Sequence, residues 1–245
     1  MELLKTTFHT DYCCNHVRRL LKAWGMYHYK PEPRDYRQAE DADLKLKERL
    51  TAVADGLALW GLSTEQVALG FADESSPIAN SNTARLWSFF HKPRLVNSNK
   101  SLRHNTFGFY ALQGKSVVME IESSQAETFK VCLQAIKQAN QQASYTVVIW
   151  DNLPAHCQHE VEKLARSMQI ILVNLPPYSP DLNPIEKVWK QIKRQISYQG
   201  FIESKEKLSH IITSSFEKLT QTTDLAHKWI EDFFIPVFGK SPITL

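Results

Sequence analysis

The run Tyr145–Trp150, reading YTVVIW, restricts the possible folds of this chain more than any other segment. It is short, rich in β-branched and aromatic residues, and shows no alternation of polar and apolar positions. Such a run describes a strand covered on both faces, as in a largely parallel sheet with helices above and below it. In sheets of that kind ligands gather beyond the carboxyl ends of the strands, and this strand ends on Asp151. Asn152, Leu153 and Pro154 follow, so a second reading, in which Asp151 opens a turn, stays open beside the first.

The neighbouring segments suit an α/β chain. Strands are expected at 66–72, 84–90, 105–112 and 116–121, then a helix near 125–141, the strand at 145–150, a helix near 156–168 and a strand at 169–174. Helices near 184–198, 203–220 and 224–234 close the chain. Several strands in succession, followed by alternation of helix and strand, describe a mixed sheet with helices on its faces. Gly108 and Gly114 are expected to mark a bend and a hairpin turn among the early strands.

A second acid sits in LPPYSPDLNPIEKVWK, residues 175–190. Asn183 suits an N-cap and Pro184 the first helical position, which places Glu186 at the third, in the first turn, where the positive end of the helix dipole favours an anion. Ile185, Val188, Trp189, Ile192 and Ile196 recur at helical spacing and form the expected buried face. Two readings of Glu186 are open: a capping residue with Lys190 as its i+4 surface partner, or a ligand delivered by a proline-stiffened loop. A third acid follows the apolar run Gln66–Ala72, which leads into Asp73 and Glu74.

Asp73, Asp151 and Glu186, converging from two strands and one helix, make an all-oxygen set of the kind hard divalent cations prefer, and a pair of such ions can stabilise both the attacking and the leaving oxygen of a phosphoryl transfer. Zinc-type ligation lacks comparable support. Cys13 and Cys14 are adjacent, Cys132 and Cys157 are isolated, and no CxxC pair exists. The four cysteines read as unpaired thiols of a reducing interior.

Among 245 residues, 43% are hydrophobic and 22% charged, the balance of an ordinary soluble protein. No apolar run approaches the ~20 residues needed to span a membrane, and the first residues form neither a signal peptide nor a basic transit segment. A net charge of +3 is too small to announce a nucleic-acid binder, but its distribution is uneven. From Ser75 to Met119 there is no acid, while Arg85, Lys92, Arg94, Lys100, Arg103 and Lys115 alternate with Trp87, Phe89, Phe90, Phe107 and Tyr110. This segment reads either as a surface for a DNA backbone or as the solvated face of a β-hairpin. Lys187, Lys190, Lys193 and Arg194 form a second basic set on the helix of Glu186, with the same two readings.

The first thirty residues form a separate element. Asp11 is expected to cap a helix running to Trp24, with Val17, Leu20, Leu21 and Trp24 on one face and Arg18, Arg19 and Lys22 on another, stopped by Gly25. Pro31 and Pro33 then oppose helix, giving an extended linker.

Three blocks, ADESS around Asp73, VVIWDNLPAH around Asp151 and LPPYSPDLNPIEKVWKQIK around Glu186, resemble the signature blocks of the DDE transposases of the mariner-like superfamily and their bacterial insertion-sequence relatives. The 34 residues between Asp151 and Glu186 match a spacing common in that group. The resemblance covers about residues 60–220. It implies a ribonuclease H-like α/β fold, a mixed sheet flanked by helices, with Asp73, Asp151 and Glu186 as catalytic ligands of Mg²⁺ or Mn²⁺, two ions in all. It implies metal-dependent cleavage of double-stranded DNA at transposon ends and transfer of the 3′-OH strand into target DNA, typically at TA. A homodimer pairing two ends, no membrane, and a cytoplasmic, nucleoid-associated place of action belong to the same implication.

In the second block Asn152 and His156 are candidates to orient the carboxylate from behind, the histidine being equally a structural residue at a helix start. The amino-terminal helix with its paired arginines and KPxPR-like linker resembles the end of a helix-turn-helix DNA-binding region. The expected organisation is therefore a partial helix-turn-helix remnant over 1–30, a linker and helix over 31–60, and a catalytic domain over 61–245. With about ten residues ahead of that helix, the chain reads as truncated at its amino terminus relative to the family. Two alternatives accompany the transposase reading: a non-catalytic DNA-binding remnant of a mobile element, and a nuclease of the same fold without strand transfer.

Overall fold

A computed structural model describes residues 2–27, 35–79, 102–122, 126–151, 155–199 and 201–242. The chain divides into two compact units, Met1–Tyr36 and Arg37–Leu245. The expected strand at 84–90 and the expected DNA contacts Arg85, Lys92, Arg94 and Lys100 lie outside the described residues.

In the smaller unit α1 spans Glu2–Phe8 and α2 spans Cys14–Ala23. Asp11 does not cap α2: the helix starts after Cys13, and Asp11 instead pairs with Lys5 at 3.0 Å, an ion pair offered by the unforeseen α1. The helix stops where expected. Gly25 adopts φ +78°, its N–H donates to Lys22 O, and the Met26 N–H donates to Leu21 O, a Schellman closure that uses the glycine's freedom in the left-handed region. No residue of α2 is buried, because two short helices cannot cover the Val17, Leu20, Leu21 face.

The larger unit holds one mixed sheet. Its strands are β1 (Val67–Ser75), β2 (Thr106–Gln113), β3 (Val117–Glu120), β4 (Tyr145–Trp150) and β5 (Ile170–Asn174), in the order β3-β2-β1-β4-β5. β1, β4 and β5 run parallel, and β2 is antiparallel to both of its neighbours. The β2–β3 turn falls at Gly114, φ +103°, as expected. The helices are α3 (Ala42–Leu59), α4 (Ala126–Ala139), α5 (Ala155–Ser167), α6 (Ile185–Tyr198) and α7 (Lys205–Leu219).

Period-two alternation sorts the core onto the two faces of the sheet. Val67, Leu69 and Phe71 of β1, Tyr110 and Leu112 of β2, and Val147 and Ile149 of β4 pack with residues of α3, α6 and α7. Ala72, Phe109, Ala111, Val148 and Trp150 point the other way, into a cluster with Phe129, Leu133 and Ile136 of α4 and Val161 and Ala165 of α5. α3, expected within the connecting segment, is built into this unit: Leu46, Leu50 and Leu57 are buried at intervals of four and seven, one face of a helix.

The carboxyl-terminal helix expected over 224–234 is broken into Asp224–Ala226, His227–Trp229, a π-helical Ile230–Phe234 and Ile235–Phe238. Pro236 supplies a reason, since it has no N–H to donate back along a regular helix. The wide π turn lets Trp229, Ile230, Phe233 and Phe234 all reach the core. Among the described residues no helix is long and apolar enough to cross a membrane.

Candidate active site

The sheet register brings two acids together. In the parallel ladder Phe71 pairs with Ile149 and Ala72 with Trp150, so the next residues are Asp73 and Asp151 at the carboxyl ends of neighbouring strands. Neighbouring strands lie about 4.8 Å apart. Asp73 continues the Val67–Leu69–Phe71 series and Asp151 the Val147–Ile149 series, so both belong to the face covered by α6. Glu74 continues the opposite series. Its charge acts on buried Cys132 of α4, whose thiol is pushed up to about 12 by burial first and by Glu74 second. Alternation therefore separates Asp73 from Glu74, which the sequence leaves adjacent.

The third acid comes on α6. Pro184, at φ −58° and ψ −25°, is already helical, Asn183 before it is extended, and Glu186 lies in the first turn. Asn183 closes the turn with its backbone, its carbonyl accepting from the Glu186 N–H at 3.1 Å. The side-chain cap expected of Asn183 is not made: its Oδ1 is buried without a hydrogen-bond partner. Nor does Glu186 form an ion pair with Lys190 among the described residues, so the surface pairing that accompanied the capping reading is not made. Ile185, Val188, Trp189, Ile192 and Ile196 are all buried as expected, and Glu186 is exposed at the edge of that face.

The loop ahead of α6 is held at several points. The Arg37 guanidinium lies over the Tyr178 ring, 3.8 Å from its centroid. Gln38 Nε2 donates to Asp181 Oδ1 at 2.9 Å and to Ser179 Oγ at 3.2 Å. Tyr178 adopts φ +58°, a left-handed conformation uncommon for a residue with a Cβ. These contacts and four prolines, Pro176, Pro177, Pro180 and Pro184, restrict the segment that delivers Glu186.

Asp73 carries the electrostatic signature of the site. Burial, then repulsion by Glu186, pushes its carboxyl up to about 7, with Asp151 adding to the rise. The Glu74 backbone N–H and the Trp189 indole act in the opposite sense, the indole Nε1 donating to Asp73 Oδ2 at 3.0 Å. Asp73 is thus close enough to the other two acids to feel their charge. As placed, no three His, Cys, Asp or Glu side chains among the described residues close around one point as a finished ion cage. Like charges repel, and Asp151 and Glu186 are exposed side chains with room to stand apart. The donor set nevertheless fits a hard divalent cation: three carboxylates, of which Asp73 is held well above the usual carboxylate range by burial first and by the charge of its acidic neighbours second.

Trp189 was visible in the sequence as a core residue of α6, and its polar contact with Asp73 was not. The usable signal is its position three residues after Glu186, one turn further along the same helix. Asn152 lies outside the described residues, and of His156 only its place in the first turn of α5 is described. Arg103 is exposed on a short bridge to Ile78, and Lys115 is exposed beyond the turn at Gly114. Lys187, Lys190, Lys193 and Arg194 are exposed along α6. Arg18, Arg19 and Lys22 are exposed on α2, where Arg19 bonds His16 Nδ1 at 2.9 Å.

Comparison with known proteins agrees with the geometry. Residues 68–209, more than half of the chain, match the family described as DDE superfamily endonuclease. A 46-residue stretch is 37% identical to the Transposable element Tcb2 transposase of Caenorhabditis briggsae, covering 19% of this chain and 17% of that protein. The chain thus matches less than a fifth of the length of this curated relative. Among solved structures, the mariner Mos1 paired end complex with Mg superposes with a TM-score of 0.61 at 14% identity, over 93% of this chain and 70% of that one. The Mos1 Strand Transfer Complex gives 0.56 at 15% identity, over 94% and 70%. At such identities the likeness is one of fold, and that fold is the ribonuclease H-like mixed sheet flanked by helices.

Proposed function

The chain belongs to the DDE superfamily endonucleases, and from that premise we propose that it is a transposase, cutting double-stranded DNA at transposon ends and joining the freed 3′-OH strand to target DNA. The observation that carries this reading is the placement of Asp73 and Asp151 on neighbouring strands by the parallel register, with Glu186 in the first turn of α6 near enough to act, after burial, on the Asp73 carboxyl. The likeness to Tcb2 transposase and to the Mos1 complexes supports the transposase reading over hydrolysis alone.

In this proposal Asp73, Asp151 and Glu186 hold two Mg²⁺ or Mn²⁺ ions. The ions, when bound, supply activation of the attacking oxygen and charge neutralisation at the leaving one. Asp73, half-buried and tied to Trp189, is the fixed member of the set, while Asp151 and Glu186 are exposed and adjust. Solved Mos1 complexes containing Mg and Mn support a divalent ion of this class. The attacking oxygen is first that of water and then the DNA 3′-OH, each adding to phosphorus as the P–O3′ bond breaks; no protein side chain is esterified. Lys187, Lys190 and Arg194 of α6 hold the DNA backbone beside Glu186, with Arg103 as a further contact. Arg18, Arg19 and Lys22 form a second contact on the amino-terminal unit, read as a partial helix-turn-helix region. Target choice at TA and action as a homodimer are part of the same proposal, the latter supported by the paired-end complexes of Mos1. The bacterial insertion-sequence resemblance supports action in the cytoplasm at the nucleoid.

The test is incubation of the purified protein with Mn²⁺ and a plasmid carrying the inverted repeats that flank its coding sequence. Nicked and joined products are expected. Cleavage without joined products would replace the transposase by a nuclease, and salt-sensitive binding without cleavage would leave a DNA-binding remnant.

A further inference from the structure

Asp73 is paired in the sheet with Gly108 of β2, and both belong to the face on which α6 lies. The Trp189 ring is buried to 1% exposure and fills the place a side chain at 108 would take. A Cβ built there would stand 2.7 Å from Trp189 Cζ2, 2.8 Å from its Cη2 and 2.7 Å from Phe216 Cε2. The pairing of β2 with both neighbours runs through this glycine without a shift of register. The glycine lets the indole lie against the strand, with Nε1 at 3.0 Å from Asp73 Oδ2 and Phe216 supporting the ring at 5.4 Å between centroids.

A buried indole N–H needs an acceptor, and here the acceptor is a carboxylate of the candidate site. We infer that Trp189 is a positioning residue: admitted by Gly108, its N–H ties down one oxygen of Asp73 and fixes the plane of the carboxylate for a divalent cation. A carboxylate held this way loses no rotamer freedom when a cation arrives. The inference rests on the reading of Asp73 as a metal ligand.

Full-length protein titrated with Mn²⁺ by calorimetry tests it. Trp189→Phe keeps a ring against Phe216 but loses the donor, and about tenfold weaker Mn²⁺ binding is expected, the usual scale for losing a partner of a ligand. Gly108→Ala, which displaces the ring while keeping the N–H, should weaken binding in the same direction. Phe216→Leu, which disturbs the packing and leaves the bond, should not. Unchanged binding in folded Trp189→Phe, or an equal loss in Phe216→Leu, overturns the inference. Should the variants not fold, ¹⁵N spectra of the wild type read the bond directly. One indole N–H resonance is expected to move on Mg²⁺ addition and on Asp73→Ala, and its absence overturns the inference. Wild-type protein that binds no Mn²⁺ overturns the metal reading itself, and this inference with it.

Discussion

Ala72 of β1 stands opposite Trp150 of β4 in a parallel ladder, and this pairing sets Asp73 beside Asp151 one residue later. The two acids are near neighbours because of backbone register, although they are 78 apart in number. Their environments differ: Asp73 is half-buried and hydrogen-bonded, Asp151 exposed.

That difference predicts separable effects on activity and stability. Asp151→Asn and Glu186→Gln alter exposed side chains, so folding stability should stay within about 0.5 kcal/mol of wild type. Metal-dependent nicking should fall by at least about a hundredfold, since even the outer partners of ligands cost 10- to 100-fold. Melting curves and a plasmid nicking assay check the two halves. Equal nicking by either variant would remove that residue from the ligand set.

The Asp73 carboxyl gives a pH dependence of definite sign. Burial first, then Glu186 and Asp151, raise it from 3.8 to about 7. Between those values the folded protein binds more protons at this site than the unfolded chain, so stability falls as pH rises. The contribution is fully present below about pH 3.8 and is lost as pH passes about 7. Comparing metal-free wild type with Asp73→Asn isolates it: the advantage of wild type should shrink steadily from pH 4 to 7. Saturating Mg²⁺ should flatten the slope by favouring the ionised form. A difference that is constant with pH would contradict the raised value.

How far the sequence announces this site depends on the range of each interaction. Strands β4 and β5 and helix α6 were legible because non-alternating apolar runs and helical periodicity are local signals, and the buried face Ile185, Val188, Trp189, Ile192, Ile196 follows from them directly. The three acids were legible from strand ends and from family blocks. The bond from Trp189 to Asp73 was not, because it joins residues 116 apart and depends on which face of β1 each acid takes. The close approach of Trp189 to Gly108 was not legible either, since a glycine's local freedom and its lack of bulk look the same in sequence. The capping role of Asn183 failed because the backbone carbonyl met the need alone. The break in the last helix had a local signal in Pro236, and the Lys5–Asp11 pair follows from α1, a helix too short to stand out by periodicity.

Helix α3 belongs to the larger unit, and that has a stability consequence. Leu50 is fully buried in the same cluster as Phe71 and Trp189. Leu50→Ala should therefore destabilise the protein by about 2–5 kcal/mol, the range for truncating a packed leucine. Denaturant titration of the variant measures this directly. A loss under about 1 kcal/mol would mean that α3 is a linker helix after all.

The turn at Gly114 is a second stability test. At φ +103° a side chain is strained, and a Cβ there would lie 2.4 Å from Asn140 Oδ1. That oxygen accepts the Lys115 N–H at 2.7 Å, and the same amide donates to Lys115 O and Ile136 O. Gly114→Ala should cost about 1–2 kcal/mol from the backbone alone and more from displaced Asn140. Asn140→Ala, which leaves the turn's polar groups unpaired, should cost about 1–3 kcal/mol by the same measurement. Because the turn and Asn140 share one network, the double variant should lose less than the two single losses together.

The exposed basic residues of α6 separate a DNA surface from an ordinary solvated helix face. Lys190 and Arg194 follow Glu186 at intervals of four, so they continue its side of the helix, and Arg194 Nε donates to Tyr198 Oη at 2.9 Å. A phosphate contact made by either residue releases counterions, and log K against log salt then has a slope of about −0.9 per contact on duplex DNA. Replacing both Lys190 and Arg194 by Gln should reduce that slope by roughly two such units, with affinity lost nearly uniformly across sequences. Folding stability should move by less than about 0.5 kcal/mol, since neither side chain is buried. Fluorescence anisotropy of a labelled duplex at several salt concentrations, without metal, measures the slope apart from cleavage. An unchanged slope would make this side of α6 a solvated surface and shift the search for the DNA track to Arg103 and the acid-free segment before it.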